Sequence, residues 1–332
     1  MQLPQELVNA IIDEIHAFTD SAPSLKSCAL VARSFLGQSQ KNLFAVVKLK
    51  ENSPASSLRF SNLLSSSLHL AIHVNDLSLE CHSENWESVA HILSAVSNLT
   101  RLRLTPKEKE WFSTKNVCKP APFSEPFSTP HLRVIEMCDY EFVDAFQLQS
   151  LFSGSVRPES LVLDNIIFSV PTRCTAVAPR DTTTAASNLT LRHMTRSTID
   201  AIMNSFTVLD LKELHSLSVF DSPINNILRL PNARSIRKLS ISVYFKDPVS
   251  VCAPLEPEVL VELGRLQTLT FDIYLPVLLP GVLRTFGDLR DLKRLETVWV
   301  VFSIWSDGTV DDENSWRAFD GRLRVLLEKG MR

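Results

Sequence analysis

Glycine is scarce, with eight residues among 332. Loops that cradle phosphates need several glycines close together so that backbone N–H groups can approach the anion, and neither GxGxxG nor GxxxxGK[ST] occurs. Basic charge is not in excess either. The formal net charge of −3 argues against a general polyanion binder, because nucleic-acid affinity comes from clustered Lys and Arg neutralising phosphates. No apolar run approaches the roughly 20 residues that span a bilayer, and the longest, Tyr274 to Leu283, is broken by Pro276 and Pro280. The N-terminus lacks the basic start and unbroken apolar core of a secretion signal, since Glu6, Asp13 and Glu14 fall inside it. An intracellular chain, cytoplasmic or nuclear, with no membrane and no nucleic-acid partner is expected.

Paired cysteines are missing as well. Cys28, Cys81, Cys118, Cys138, Cys174 and Cys252 stand singly, without a CxxC pair or histidines at zinc-finger spacing, so they read as reduced, small apolar side chains. GxSxG and HExxH are absent. His69 and His73 could share a helical face, but no Glu lies between them and no third ligand is evident. These absences point to a non-catalytic chain that uses no metal and no cofactor.

What is present is apolar material in regular order. Hydrophobic residues make up 45% of the chain, enough for a large core. The length exceeds what one compact core usually supports, so the chain must divide into domains or extend as a repeat. In LPQELVNAIIDEI, residues Leu3, Leu7, Val8, Ile11, Ile12 and Ile15 recur at helical spacing opposite Gln5, Glu6, Asn9, Asp13 and Glu14. The spacing predicts an amphipathic helix from about Pro4, a residue tolerated in a first turn. A second helix is predicted over LKSCALVARSFL, with Leu25, Cys28, Val31, Ala32 and Phe35 on one side. Gly37 is expected to end it, and one further short helical turn should precede the β-like AVVKL.

So few residues form little core of their own; these helices must pack on the remainder or offer apolar faces to another protein. The patterns LPQEL..AII.EI, L..CALVARSF and LF..V.L, from Leu3 to Leu49, resemble an F-box in the form found among fungal F-box-like proteins. The family often has Cys where this chain has Ala32 and Trp where it has Phe35. The resemblance implies binding to the Skp-type adaptor of a cullin-RING ubiquitin ligase through Leu3, Pro4, Leu7, Ile11, Leu25, Leu30 and Val31.

The remainder repeats. The segments VNDLSL, LTRLRL, LRVIEM, PESLVL, ASNLTL, LHSLSV, IRKLSI, LQTLTF and LETVWV follow one short template, and seven of the nine fit LxxLxL with only aliphatic or aromatic swaps. Their central residues are Leu77, Leu102, Ile135, Leu161, Leu189, Leu217, Leu239, Leu269 and Val298, a period of about 28 residues, within the range of leucine-rich repeats. Helical stretches intervene: NWESVAHILSAV, FVDAFQLQSLF, STIDAIMNSF, PINNILRL, EPEVLVELGRL and PGVLRTFGDL. The expected fold class is therefore an α/β repeat. It would be an irregular leucine-rich-repeat solenoid, a horseshoe with strands inside and helices outside, over residues 50–332, behind a small all-α domain over residues 1–49. A closing helix is expected around Trp316 to Leu327. A doubly wound α/β sheet is the rival architecture, but it would show longer continuously apolar strands and a glycine-rich phosphate loop.

Because strand side chains alternate, residues flanking the buried leucines should point to the open concave face. These are Arg101, Arg103, Glu136, Asp164, Arg192, Lys238, Ser240, Thr270 and Trp299. The expectation is a target-recognition adaptor of a cullin-RING ligase, its target unidentified. A leucine-rich-repeat scaffold whose helical cap packs inward is the alternative, and exposure of Leu7, Ile11 and Val31 distinguishes the two.

Overall fold

The computed structural model describes residues 3–18, 20–49, 55–81, 86–106, 131–142, 158–168, 184–204, 209–210, 213–220, 234–243, 263–273 and 294–302, with single positions at 148, 222 and 228. The first helix, α1 (Gln5–Ala17), starts one residue after Pro4, whose carbonyl accepts hydrogen bonds from the N–H groups of Leu7 and Val8 at 3.1 Å each. Helices α2 (Ala22–Val31) and α3 (Arg33–Ala45) follow. The break between them is at Ala32, whose backbone is extended (φ −157°, ψ 155°), and not at Gly37, which lies inside α3. Tertiary hydrogen bonds set α3 against α1. Gln5 Nε2 donates to the Ser34 carbonyl at 2.8 Å, while Gln38 Nε2 and Asn42 Nδ2 both donate to the Asp13 carboxylate. The expected short helical turn is thus the second half of one longer helix.

Val8, Ile12 and Leu25 form a small buried core of these three helices, with Ile15, Phe35 and Leu43 against it. Strand β1 (Val46–Leu49) leaves α3 directly and pairs in parallel with β2 (Asp76–Cys81). The run AVVKL, read from sequence as the end of the first unit, is therefore the first strand of the main sheet. Between them lie α4 (Ala55–Ser66) and a short 3₁₀ helix (Leu68–His73). Helix α4 escaped the sequence reading because half of its buried stripe is serine: Ser57, Phe60, Ser61 and Leu64 face inward. Its neighbour α5 (Trp86–Ala95) occupies the predicted stretch.

The succeeding strands are β3 (Arg101–Pro106), β4 (Val134–Cys138), β5 (Glu141–Phe142), β6 (Ser160–Asp164), β7 (Ile167–Phe168), β8 (Thr184–Ala185) and β9 (Asn188–Arg192). Then come α6 (Arg196–Asn204), β10 (Leu209–Asp210), β11 (Ser216–Phe220), β12 (Lys238–Val243), β13 (Thr268–Ile273) and β14 (Thr297–Phe302). Ten of these strands form one parallel sheet in the order β1-β2-β3-β4-β6-β9-β11-β12-β13-β14, and β5-β7 and β10-β8 make two-stranded pairs. The order follows the chain in one direction, without the reversal that marks the crevice of a doubly wound sheet.

Register explains the repeat. Val47, Leu77, Leu102, Ile135, Leu161, Leu189, Leu217, Leu239, Leu269 and Val298 occupy one continuous row across the sheet. From Leu77 to Leu269 none of them is more than 1% exposed. Burying a leucine fully is worth about 1.5–3 kcal/mol, so a one-residue slip in any strand would carry that cost as well as turn polar side chains into the core. The second template leucine makes a parallel row through Leu79, Leu104, Met137, Leu163, Leu191 and Val219. Among the described residues no helix is long and apolar enough to cross a membrane. The polar stretches PKEKEWFSTKNVCKPAPFSEPFSTP and SVPTRCTAVAPRDTTTAAS, rich in Pro, Ser and Thr, lie almost wholly outside the described residues, as do the intervening helical stretches other than α5 and α6, and the C-terminal helix expected around Trp316 to Leu327.

Candidate functional site

Two surfaces gather the sequence-expected residues. The first is the outer side of α1 and α2. Helix α1 turns Val8 and Ile12 inward, and the residues one position before each, Leu7 and Ile11, face out. Leu7 is 48% and Ile11 40% exposed, joined by Leu3 and Pro4 at the helix start. At the end of α2, Leu30 is 88% and Val31 74% exposed. Large aliphatic side chains left this open on helices whose other faces are already packed form a surface without a partner among the described residues. Leu25 does not belong to it. At 1% exposure it fills the three-helix core, because α2 presents Leu25 to α1 and α3 while its last turn carries Leu30 and Val31 away.

The second surface is the open face of the sheet, where residues alternate with the buried leucines. Arg101 meets Asp76 at 3.8 Å. Next to it a chain of charge runs across four strands. Arg103 lies 3.8 Å from Glu136, Glu136 lies 4.0 Å from Arg192, Arg192 lies 3.9 Å from Asp164, and His193 Nδ1 lies 2.8 Å from Asp164 Oδ1. Four sequence-expected residues, Arg103, Glu136, Asp164 and Arg192, are thus brought together and each finds an opposite charge. Exposed pairs of this kind contribute little stability each, but the network fixes side-chain positions. Lys238 on β12 and Trp299 on β14 lie apart from it, separated by β11 and by the hydroxyls of Ser240 and Thr270.

Cys138 sits inside the charged network. Arg103 Nη2 approaches its sulfur at 3.8 Å, and the thiol is directed at Glu136 Oε1 at 3.9 Å. Burial, reinforced by the Glu136 charge, pushes the thiol up to about 11, so at neutral pH it stays protonated and is a weak nucleophile.

Sequence reasoning missed the residues that follow three successive strands. Asp139, Asn165 and His193 have φ values of 61°, 51° and 51°, in the left-handed region. Their N–H groups donate to the carbonyls of Asp164, Arg192 and Phe220 at 2.8–2.9 Å, continuing the ladder past the strands. Asn165 Nδ2 also donates to Asp139 Oδ1 at 2.7 Å, and the His193 ring meets Phe220 edge-on. The signal was available: an Asp, Asn or His recurs two positions after the second template leucine, and these residue types tolerate left-handed backbone best after glycine.

No family model matches the chain, and no curated protein matches it. Among solved structures it is similar to a chain of the crystal structure of the Rad7 and Elc1 complex in yeast, at 14% identity and a TM-score of 0.39, over 93% of this chain and 90% of that one.

Proposed function

We propose that this chain is the target-recognition subunit of a cullin-RING ubiquitin ligase. On this reading α1 and α2 dock on the Skp-type adaptor that links to the cullin, and the sheet is the inner wall of an irregular leucine-rich-repeat solenoid that holds a target protein. The observation that carries it is the exposure of Leu7, Ile11, Leu30 and Val31 on helices that keep a separate core of Val8, Ile12 and Leu25. Had these helices been an inward-packed cap on the repeat, those side chains would have been the ones to bury. The one-directional order of the ten parallel strands supports the solenoid, since stacking of successive units produces it.

The mechanism is proximity. Holding a target beside the conjugating enzyme raises its effective concentration at a reaction performed by another subunit, so the chain itself needs no catalytic group, metal or cofactor. Its action would lie in the cytoplasm or nucleus. Charged substitutions on an apolar docking face cost far more in binding than in folding when the side chains are exposed in the free protein. An adaptor-column experiment with the purified chain and the Leu7→Asp/Val31→Asp variant tests the reading. Retention of the wild type and loss of the variant, with unchanged unfolding midpoints, is the expected result; passage of both through the column leaves a repeat scaffold without a ligase link.

A further inference from the structure

The amino-terminal margin of strands β12 to β14 carries charge that nothing in the described fold balances. Arg234, Arg237, Lys238, Arg265 and Arg294 are all exposed there, and the acidic residues described at the same margin are Glu213 and Glu296. Among the described residues none of the five cations takes part in an ion pair. On β3 and β9, by contrast, Arg101, Arg103 and Arg192 each lie within 4.0 Å of a carboxylate. Register places Arg265 and Arg294 at equivalent positions of adjacent repeats, each three residues before the paired Thr268 and Thr297. Like charges set side by side are unfavourable on their own and become favourable when a partner of opposite sign covers them.

We propose that this margin docks an acidic, extended segment of the target protein. The inference rests on the reading of the sheet as a target-holding surface and adds the chemistry of what it holds. Lys238 stands on the open face beside Ser216, Ser240 and Thr268, whose hydroxyls can meet the backbone N–H and C=O groups of an extended chain. Trp299, 61% exposed one strand further on, offers an apolar anchor. Dimensions favour a peptide over a nucleic acid. Three strands at a spacing of about 4.8 Å are as wide as about three or four residues of extended chain, whereas polyanion binders spread their cations over roughly 6–10 phosphates.

Fluorescence anisotropy on the full chain tests this, with a labelled glutamate-rich peptide of about ten residues, long enough to cross the margin, and its glutamine counterpart. The glutamate peptide should bind at low salt, weaken as NaCl rises from about 50 to about 300 mM, and lose about tenfold in affinity to the Arg265→Glu/Arg294→Glu variant. The charge-matched Arg59→Glu/Arg196→Glu variant, altered on α4 and α6, should stay within about twofold of the wild type. Absence of saturable binding, equal binding of the glutamine peptide, or equal loss in both variants overturns the proposal. So does tighter binding of a labelled oligothymidylate that Arg265→Glu/Arg294→Glu abolishes, which assigns the margin to nucleic acid. Adaptor retention, measured in parallel, separates the readings. The Arg265→Glu/Arg294→Glu variant should be retained like the wild type, so failure at this margin leaves adaptor docking standing, and failure of adaptor docking by the wild type leaves the peptide result standing.

Discussion

Asp13 shows how one polar residue can hold two helices together. Its carboxylate accepts hydrogen bonds from Asn42 and Gln38 across the α1–α3 contact, and these, with Asn42 the larger influence, hold its pKa below the ordinary carboxylate value. A group whose folded pKa is depressed contributes stability that is fully present above the unfolded value and lost as pH falls through the folded one. Acid below about pH 4 should therefore loosen α3 from α1. Amide exchange in α3 should speed up between pH 6 and pH 3, after correction for intrinsic rates, by more in the wild type than in Asp13→Ala. The effect is small because the carboxylate is exposed. At this scale the sequence was partly legible: periodicity put Leu7, Val8, Ile11 and Ile12 on one apolar side without separating inward from outward, and the F-box resemblance selected Leu7 and Ile11, which are exposed, together with Leu25, which is buried. Which of several apolar residues on a helix turns inward depends on where the neighbouring helices lie, and local spacing does not contain that information.

At the scale of the element, the α2–α3 boundary separates intrinsic preference from tertiary control. Glycine is the best helix terminator by propensity, which is why Gly37 was expected to close α2. The chain instead breaks at Ala32, because Gln5, Gln38 and Asn42 fasten α3 to α1 in one register and an extended residue between the helices is what that register requires. Gly37 is left as an ordinary helical position where an added Cβ would meet nothing within 4 Å. Gly37→Ala should stabilise α3 by about 0.5–1 kcal/mol, read as a raised urea midpoint, and a lowered midpoint would show that the glycine is needed where it stands. The strands were the most legible elements. The last four residues of each LxxLxL template lie in a strand and all nine central residues share one row, because a period of two and a row of leucines leave the backbone a single register. Helix α4 was illegible for the complementary reason that Ser57 and Ser61 are buried polar residues, invisible to a search for apolar stripes.

Across the whole molecule, labour is divided between a helical face that no described residue covers and a sheet built from successive strands of the chain. Leu7, Ile11, Leu30 and Val31 of α1 and α2 are exposed beside the small core of Val8, Ile12 and Leu25, while the central row of the sheet runs from Val47 to Val298 without a gap in register. The repeat was visible in sequence because it recurs, and the charge network was visible only as isolated residues, since Arg103, Glu136, Asp164 and Arg192 each stand a full repeat or more from the next and meet only when strands stack. On the function proposed above, α1 and α2 are the surface where the adaptor binds. Amide hydrogen exchange of the full chain, with and without the Skp-type adaptor, tests it most directly. Slowed exchange confined to residues 3–31, with the strands of the sheet unchanged, is the expected result. Unchanged exchange in α1 and α2 under saturating adaptor, or protection that falls on the sheet instead, would contradict it.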